Sequence, residues 1–191
     1  MPLQGDYEPS PAQWVRDQVA AYEASGGREA NTLRDTGLPV IIVTARGNKT
    51  GKVRKFALMR VEDDGQYALV ASKGGAPKHP VWYYNLKAGP TEVTVQDGPE
   101  PFDAEVRELS GDERARWWDR AVAAFPPYAE YQAKTDRQIP VLLAKPQGLN
   151  VRVWPAGRRR SGHTPARASG VGRCPASAAR TTSRRRRCRR R

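Results

Sequence analysis

The chain has 191 residues and a formal net charge of +13, and its length suits one domain of ordinary size with an extension. Residues 147–191 hold 14 arginines and no acidic residue, so residues 1–146 carry a net charge of −1. The overall charge therefore does not indicate a nucleic-acid-binding domain. No apolar run is long enough to span a membrane and the first ten residues do not form a signal peptide, so we expect a cytoplasmic protein.

The basic C-terminal stretch, residues 147–191, is predicted to be a disordered tail because glycine, proline, serine, alanine and arginine dominate it. Both cysteines, Cys174 and Cys188, lie there, and His79 and His163 are far apart, so neither a zinc site nor a disulfide framework is expected. Two alternatives stay open for the arginines. They bind nucleic acid or anionic lipid, or they form an extension with no selected role.

A first helix is predicted within the N-terminal segment, residues 1–29. Ser10 and Pro11 have the pattern of an N-cap and a first helical residue, and Gly26 with Gly27 ends the helix. Its apolar stripe consists of Val15, Val19 and Tyr22. Together with Trp14, this stripe either covers the domain, which we favour, or touches a membrane surface.

The following residues indicate strands joined by hairpins. Residues 39–44 form a β-branched run typical of a strand that is buried on both faces. Residues 53–62 and 66–72 flank Asp64-Gly65, and residues 92–96 and 101–109 flank Asp97-Gly98, two turn signals of hairpins.

The C-terminal part of the domain, as far as residue 146, is predicted to be a helix, a further helical turn and a last strand. Ser110 and Glu113 form a capping box for a helix that ends at Pro126-Pro127. The apolar positions of this helix are Trp118, Ala121, Val122 and Phe125. Residues 139–146 form the last strand. The sequence therefore predicts an α+β domain over residues 30–146, with an antiparallel sheet curled into a barrel.

Two glycine-bearing turns could bind an anion. Ser72-Lys73-Gly74-Gly75 offers main-chain N–H groups, a hydroxyl and an ammonium group, although such turns are usually only turns. Trp82, Asn85 and Leu86 share one face of a short helix that follows it, and a buried amide there needs partners. A second basic turn precedes them, with Lys49, Lys52, Arg54 and Lys55. Together they suit a flat ring system with a long acidic tail, whereas Tyr83 and Tyr84 are predicted to pack.

The usual catalytic arrangements are missing from residues 1–146. His79 is the only histidine in that range, and no nucleophile elbow, Walker A loop or dinucleotide fingerprint is present. An enzyme of this composition would depend on a bound cofactor for its chemistry.

Three segments together resemble the deazaflavin-dependent nitroreductase family, which includes F420H2-dependent quinone reductases. They are VTARGNKTGKVR, VASKGGAPKHPVWYYNLKAGP and AFPPYAEYQAKTDRQIPVLLAKP, and the resemblance covers residues 30–146. It implies a split β-barrel of the flavin-reductase, FMN-binding type with flanking helices. It also implies reduced coenzyme F420 as the cofactor, with FMN less favoured, and hydride transfer to a quinone or a nitroaromatic compound.

The resemblance also implies roles for individual residues. Lys49 and Arg54 match contacts to the phosphate or the oligoglutamate tail of F420. The strand end that forms a wall of the cofactor site and the turn that binds its phosphate are matched by Val70, Ala71, Ser72 and Lys73. The contacts to the ring and the ribityl chain are matched by Val81, Trp82 and Asn85. Tyr128, Tyr131 and Ser72 are the predicted catalytic residues, with Tyr128 orienting or protonating the acceptor oxygen.

Two departures from the family pattern bear on these roles. Asn48 stands where an arginine is usual, which removes a positive charge from the tail site, and Phe125 lacks the hydroxyl of a tyrosine. The alternatives are a family member that binds deazaflavin or lipid without turnover, and a nucleic-acid or membrane binder that acts through the tail. Peripheral contact with the inner membrane face is a further expectation.

Overall fold

Seven strands form one antiparallel sheet in the computed structural model of the chain, which describes residues 3–148. The strands are β1 (Val40–Arg46), β2 (Val53–Met59), β3 (Glu62–Asp63), β4 (Gln66–Val70), β5 (Val93–Gln96), β6 (Pro101–Glu108) and β7 (Val141–Pro146). Their order across the sheet is β2-β1-β5-β6-β7-β4-β3. β7 thus lies between β6 and β4, and joins the two halves of the sheet.

Four helices flank the sheet: α1 (Gln13–Ala24), α2 (Val81–Ala88), α3 (Gly111–Ala124) and α4 (Pro127–Ala133). Pro80 and Gly89 bound α2, and Pro127 occupies the first turn of α4, as the sequence predicts for these two residue types. No helix within residues 3–148 is long and apolar enough to cross a membrane.

The sheet curls, so its two faces bury two separate apolar clusters. Alternate residues of each strand point to opposite faces. β1 therefore contributes Ile41 and Val43 to one cluster, called the inner cluster, and Val40 and Ile42 to the other, called the outer cluster. The inner cluster includes residues of β4, β5, β6 and β7, and α2 covers it with Leu86. The outer cluster is covered by α1, α3 and α4. The predicted α+β fold with a curled antiparallel sheet is confirmed.

The first predicted hairpin is much shorter than expected. Only β3 and β4 pair around Asp64-Gly65, over two residue pairs, and both turn residues have positive φ. The chain leaves β2 at Arg60, whose side chain pairs with Asp97 at 2.6 Å. β2 instead pairs with all seven residues of β1, and β4 pairs with β7. The second hairpin, β5 with β6, is confirmed.

The predicted start of α1 is wrong, and the predicted start of α3 is confirmed without its capping bonds. α1 begins at Gln13, and the Ser10 hydroxyl accepts a 3.3 Å hydrogen bond from the Ala12 N–H, one turn before the helix. Ser110 does occupy the N-cap position of α3, but its hydroxyl makes no capping bond, because Glu113 pairs with Arg107 and no capping box closes. Trp117 is the buried tryptophan of α3, and Trp118 is only partly covered.

The apolar stripe of α1 covers the sheet, as favoured above. Val19 and Tyr22 are buried in the outer cluster and Val15 packs against it. Trp14 is half exposed, with the guanidinium of Arg34 lying 4.8 Å from its ring centre. The predicted C-terminal tail lies outside the described residues from position 149 onward.

Candidate functional site

A hydrogen bond joins the first basic turn to α2. The turn between β1 and β2 is closed by hydrogen bonds from Gly47 N to Lys52 O and from Gly51 N to Gly47 O, both 2.8 Å. The Asn48 N–H donates to Oδ1 of Asn85 at 3.1 Å, and Asn85 is 5% exposed. The buried amide therefore holds the basic turn against the helix. Because Asn48 supplies only its main-chain N–H, its departure from the family's arginine leaves this contact intact.

Trp82 forms a stacked pair with Phe56 of β2, with ring centres 5.4 Å apart and ring planes 15° apart. Both side chains are partly buried against the inner cluster. Val81, one residue earlier, is 72% exposed. The pair gives α2 a flat, partly buried aromatic wall, and the exposed Val81 precedes Trp82 in the chain.

The Ser72-Lys73-Gly74-Gly75 turn has an unusual backbone. Lys73, Gly74 and Gly75 all have positive φ, at 47°, 65° and 81°. Within residues 3–148 the N–H groups of Lys73 and Gly74 donate to no acceptor, and no atom lies within 4 Å of the position that a Cβ on Gly74 would take. Two N–H groups of the turn are therefore unpaired within residues 3–148, next to an exposed lysine, and successive donors of this kind can bind an anion.

Gly75 brings this turn against α4. A Cβ at Gly75 would lie 2.6 Å from the carbonyl oxygen of Tyr131 and 3.1 Å from Cβ of Lys134. Only glycine allows so close an approach at a positive φ. The turn and the tyrosine helix, which were predicted separately from the sequence, are thus in direct contact.

Arg137 holds the turn from the other side. Its guanidinium donates to the carbonyl oxygens of Ala71, Ser72 and Ala76 at 3.1, 2.8 and 2.9 Å. The same group lies 3.1 Å from Nδ1 of His79. Burial and then the Arg137 charge lower the pKa of His79, which favours a neutral ring that accepts this hydrogen bond. His79 in turn packs on Tyr83 of α2, with ring centres 4.7 Å apart.

The tyrosines of α4 lie at the end of this series of contacts. Tyr128 is 5% exposed and meets Phe125 edge to face at 4.9 Å, with Tyr131 at 6.3 Å. Its hydroxyl makes no hydrogen bond within residues 3–148. Burial is the main cause that raises the pKa of Tyr128 above its usual value, with Tyr131 adding to it. The phenol is therefore protonated at neutral pH and has a hydrogen to donate.

The two predicted tail cations differ in their surroundings. Lys49 is exposed and makes no hydrogen bond or ion pair within the described residues. Arg54 forms an ion pair with Glu8, with NH2 and Oε2 2.9 Å apart, and Lys52 lies 3.9 Å from the same carboxylate. Lys55, the fourth cation of this cluster, points to the other face of β2 and pairs with Glu23 at 2.7 Å. The cluster therefore does not act as one basic patch.

Val70 ends β4, Ala71 and Ser72 follow it, and all three are buried. The side chain of Val70 lies in the outer cluster and that of Ala71 in the inner cluster. Ser72 is 8% exposed, and its hydroxyl makes no hydrogen bond within residues 3–148. The strand end therefore offers a ligand one unpaired hydroxyl, and the apolar side chains before it serve the core.

The tyrosines on α2 differ from each other. Tyr83 packs as predicted, and Tyr84 is half exposed.

The sequence prediction omitted three residues that shape this surface. Arg137 lies in the TDRQIP motif, but motif matching alone does not show that it binds three carbonyl groups. Phe56 could have been found from strand alternation, because it shares a face of β2 with Arg54. Glu8 lies in an N-terminal segment without a motif, and nothing in the sequence connects it with Arg54.

Most of the predicted residues thus belong to one connected series of contacts within residues 3–148, in which Asn85 and Tyr128 are buried. It runs from the basic turn through Asn85 and α2 to His79, then through Arg137 and the Gly75 turn to Tyr128. Its features fit a deazaflavin with an anionic chain, since it combines unpaired N–H donors, an exposed lysine at each basic turn, a flat aromatic pair and an unpaired phenol. A cavity of about 290 Å³ beside it is lined by Arg114, Trp118, Gln132, Asp136 and Gln138.

Comparisons with known proteins identify the family of the chain. The family model described as F420H(2)-dependent quinone reductase matches residues 14–146. The F420H(2)-dependent quinone reductase Rv1261c of Mycobacterium tuberculosis is 33% identical over 134 residues, which are 69% of this chain and 89% of that protein. A solved structure of an F420-H2 dependent reductase (FDR-A) is 58% identical, with a TM-score of 0.53, and the match covers 56% of this chain and 94% of that one.

A second solved structure, described as a domain-swapped dimer, is 51% identical with a TM-score of 0.57, and the match covers 71% of this chain and all of that one. The matched segments contain both basic turns, α2 and the tyrosines of α4. The chain belongs to the F420H(2)-dependent quinone reductase family, a family of oxidoreductases whose reductant is reduced coenzyme F420.

Proposed function

We propose that this chain reduces quinones with reduced F420, by direct hydride transfer, and that nitroaromatic compounds are a second class of acceptor. The observation that carries this proposal is the protonated, unpaired hydroxyl of Tyr128 on α4, whose ring packs on Tyr131, the residue that contacts the anion-binding turn. Quinones and nitro groups both present an oxygen that accepts a hydrogen bond. Reduced F420, when bound, supplies the hydride.

Each group of residues would bind a different part of the cofactor. The free N–H groups of Lys73 and Gly74 and the two basic turns would bind the phosphate and acidic tail of the cofactor. Trp82 and Asn85 would contact its ring and ribityl portion, with Val81 beside them. Val70 and Ala71, where β4 ends, would form a wall of the cofactor site. Positioning two reactants in this way supplies much of the rate of a transfer reaction.

Tyr128 would hold the acceptor oxygen and donate a proton to it, with Tyr131 and Ser72 contributing further contacts. A tyrosine whose pKa is raised is a poor base and a weak acid, but it is a good hydrogen-bond donor throughout the neutral range. Phe125 cannot assist, because it has no hydroxyl.

The decisive experiment is the oxidation of F420H2 by a quinone, followed by the absorbance of the oxidised cofactor. Turnover supports the proposal, whereas F420 binding without turnover would favour a carrier that does not catalyse the reaction. A binding comparison between F420 and FMN in the same buffer decides the cofactor. Replacing the quinone by a nitroaromatic compound tests the second acceptor class.

The cofactor assignment has a test that does not depend on turnover. Lys49→Ala combined with Arg54→Ala should weaken F420 binding, by an amount that shrinks as salt is added, because exposed charges are screened. An unchanged dissociation constant at low salt would remove both residues from the tail site.

A further inference from the structure

The N-terminal arm, residues 6–8, lies along the free edge of β2. Val53 N donates to Asp6 O at 2.8 Å and Glu8 N donates to Val53 O at 2.9 Å, as in a parallel β-bridge. These main-chain bonds fix the arm next to the strand that carries Arg54. The main chain of Glu8 is therefore held beside Arg54 by the fold, not by the charge of its side chain.

Glu8 neutralises the cation that is predicted to hold the cofactor's anionic chain. Its carboxylate lies 2.9 Å from the Arg54 guanidinium and 3.9 Å from the ammonium of Lys52, whereas Lys49 stays unpaired within the described residues. The pair is only partly buried, with 29% of the Arg54 side chain and 37% of the Glu8 side chain exposed. Ion pairs of this exposure are weak, so an incoming anion can replace one partner.

We propose that Glu8 is an internal stand-in for an anionic group of the cofactor and sets the selectivity of the basic turn. This inference rests on the proposed function, because it takes Arg54 as a contact of the F420 phosphate or tail. An incoming anion must displace the Glu8 carboxylate and overcome its repulsion. A ligand with several carboxylates can do so, and a ligand with a single small anion gains too little.

The position of the arm makes this displacement inexpensive for the fold. The main-chain bonds of Asp6 and Glu8 do not involve the carboxylate, so the side chain can rotate away from Arg54 while the arm stays paired with Val53. Lys52 is half exposed and can follow either the carboxylate or the ligand. Glu8 thus acts as a local competitor that leaves when a stronger anion arrives.

The test compares Glu8→Gln with the wild-type full chain in direct binding of F420. Glutamine keeps the size of the side chain and removes its charge, so binding should tighten about fivefold at low salt. The difference should vanish at high salt. Glu113→Gln is the matched control, because it removes a carboxylate of similar exposure that pairs with Arg107 and touches none of the three cations of the turn.

Two further binding measurements identify the groups involved. In an Arg54→Gln background, Glu8→Gln should no longer tighten binding, because no guanidinium is left to release. The deazaflavin nucleoside, which lacks the phosphate and the tail, should bind equally to wild type and Glu8→Gln. Weaker or unchanged F420 binding by Glu8→Gln would overturn the proposal and would show that Glu8 merely positions Arg54.

A third measurement tests this inference separately from the proposed function. A γ-linked triglutamate, titrated alone and followed by the NMR signal of the Arg54 Nε–H, probes the same cation without a deazaflavin. Tighter triglutamate binding by Glu8→Gln supports the role of Glu8 even if the chain failed to bind F420. An Arg54 signal that responds identically in both proteins would refute that role, whatever the cofactor is.

Discussion

The α-carbon of Gly75 faces the carbonyl oxygen of Tyr131 so closely that a Cβ would come within 2.6 Å of it. This contact joins the anion-binding turn to the tyrosine helix. We expect Gly75→Ala to lower the free energy of unfolding by about 2 kcal/mol or more, because it adds a backbone clash to the strain of a positive φ. Urea denaturation measures the loss.

Gly74→Ala is the matched control for that substitution. Gly74 also has a positive φ, but its Cβ would meet no atom within 4 Å. Its cost should therefore be only the left-handed strain of roughly 1 kcal/mol. Equal losses from the two alanines would mean that the close approach to α4 contributes nothing.

Asn85→Leu tests whether the buried amide holds the basic turn. Leucine keeps the branching of the side chain but leaves the Asn48 N–H without its acceptor, so the Asn48 amide should exchange with solvent much faster and F420 binding should weaken. We expect a stability loss of about 1–2 kcal/mol. Hydrogen exchange followed by NMR gives the local readout, and unchanged protection of Asn48 would exclude this role.

Asn48→Arg is expected to act in the opposite direction. It restores the cation that is usual in the family and keeps the main-chain donor to Asn85. F420 binding should tighten in a salt-dependent way while the exchange rate of the residue 48 amide stays as in wild type. Loss of amide protection would mean that the arginine distorts the turn.

Tyr128→Phe separates proton donation from packing. Phenylalanine keeps the edge-to-face contact with Phe125 and removes only the unpaired hydroxyl. Turnover with a quinone should fall by about 10²-fold or more, in the range of general-acid contributions, with little change in the F420 dissociation constant. Full retention of turnover would remove Tyr128 from the mechanism.

The same variant has an expected effect on the pH dependence of stability. Burial raises the pKa of Tyr128 in the folded chain, and the unfolded chain releases this proton near pH 10. Stability is therefore retained below pH 10 and falls as the pH rises above it. Tyr128→Phe should flatten that fall by up to about 1.4 kcal/mol per pH unit, in denaturation curves between pH 9 and 11. An identical slope in both proteins would contradict the burial of the hydroxyl.

Arg137→Lys tests the guanidinium as a positioning group. Lysine keeps the charge, but it cannot donate in a fork to three carbonyl groups and to His79 at once. The turn should loosen, so the F420 dissociation constant should rise while the wild-type response to salt is kept. A normal dissociation constant, with only a lower midpoint of unfolding, would assign Arg137 a purely structural role.

Sequence patterns predicted the elements better than the contacts between them. The β-branched run of β1, the Asp97-Gly98 hairpin and the short helix after the turn at residues 72–75 depend on neighbours in sequence, and all three are confirmed. The extent of the first hairpin was misjudged, because a turn signal at Asp64-Gly65 does not show how far the flanking strands stay paired. Trp118 was placed in the apolar stripe of α3, whereas Trp117 is the buried tryptophan, because helix periodicity is ambiguous by one residue when both are tryptophan.

In the candidate site, too, the residues could be predicted from the sequence but the contacts between distant segments could not. The residues of the two turns, α2 and α4 could be proposed from the family resemblance, since each lies within a motif. The contacts of Arg137 with three carbonyl groups and of Glu8 with Arg54 connect segments that are 61 to 66 and 46 residues apart. Such contacts depend on how the sheet curls, and a local pattern does not encode them.

The pairing of the N-terminal arm with Val53 also has a consequence for self-association. β2 and β3 are the two edges of the sheet, and an open edge can pair with another chain. β3 limits this risk because it is only two residues long, whereas the seven-residue edge of β2 depends on the arm for partial cover. A version of the chain that begins after Glu8 would expose this edge, and would be prone to aggregate even if its isolated domain folded normally.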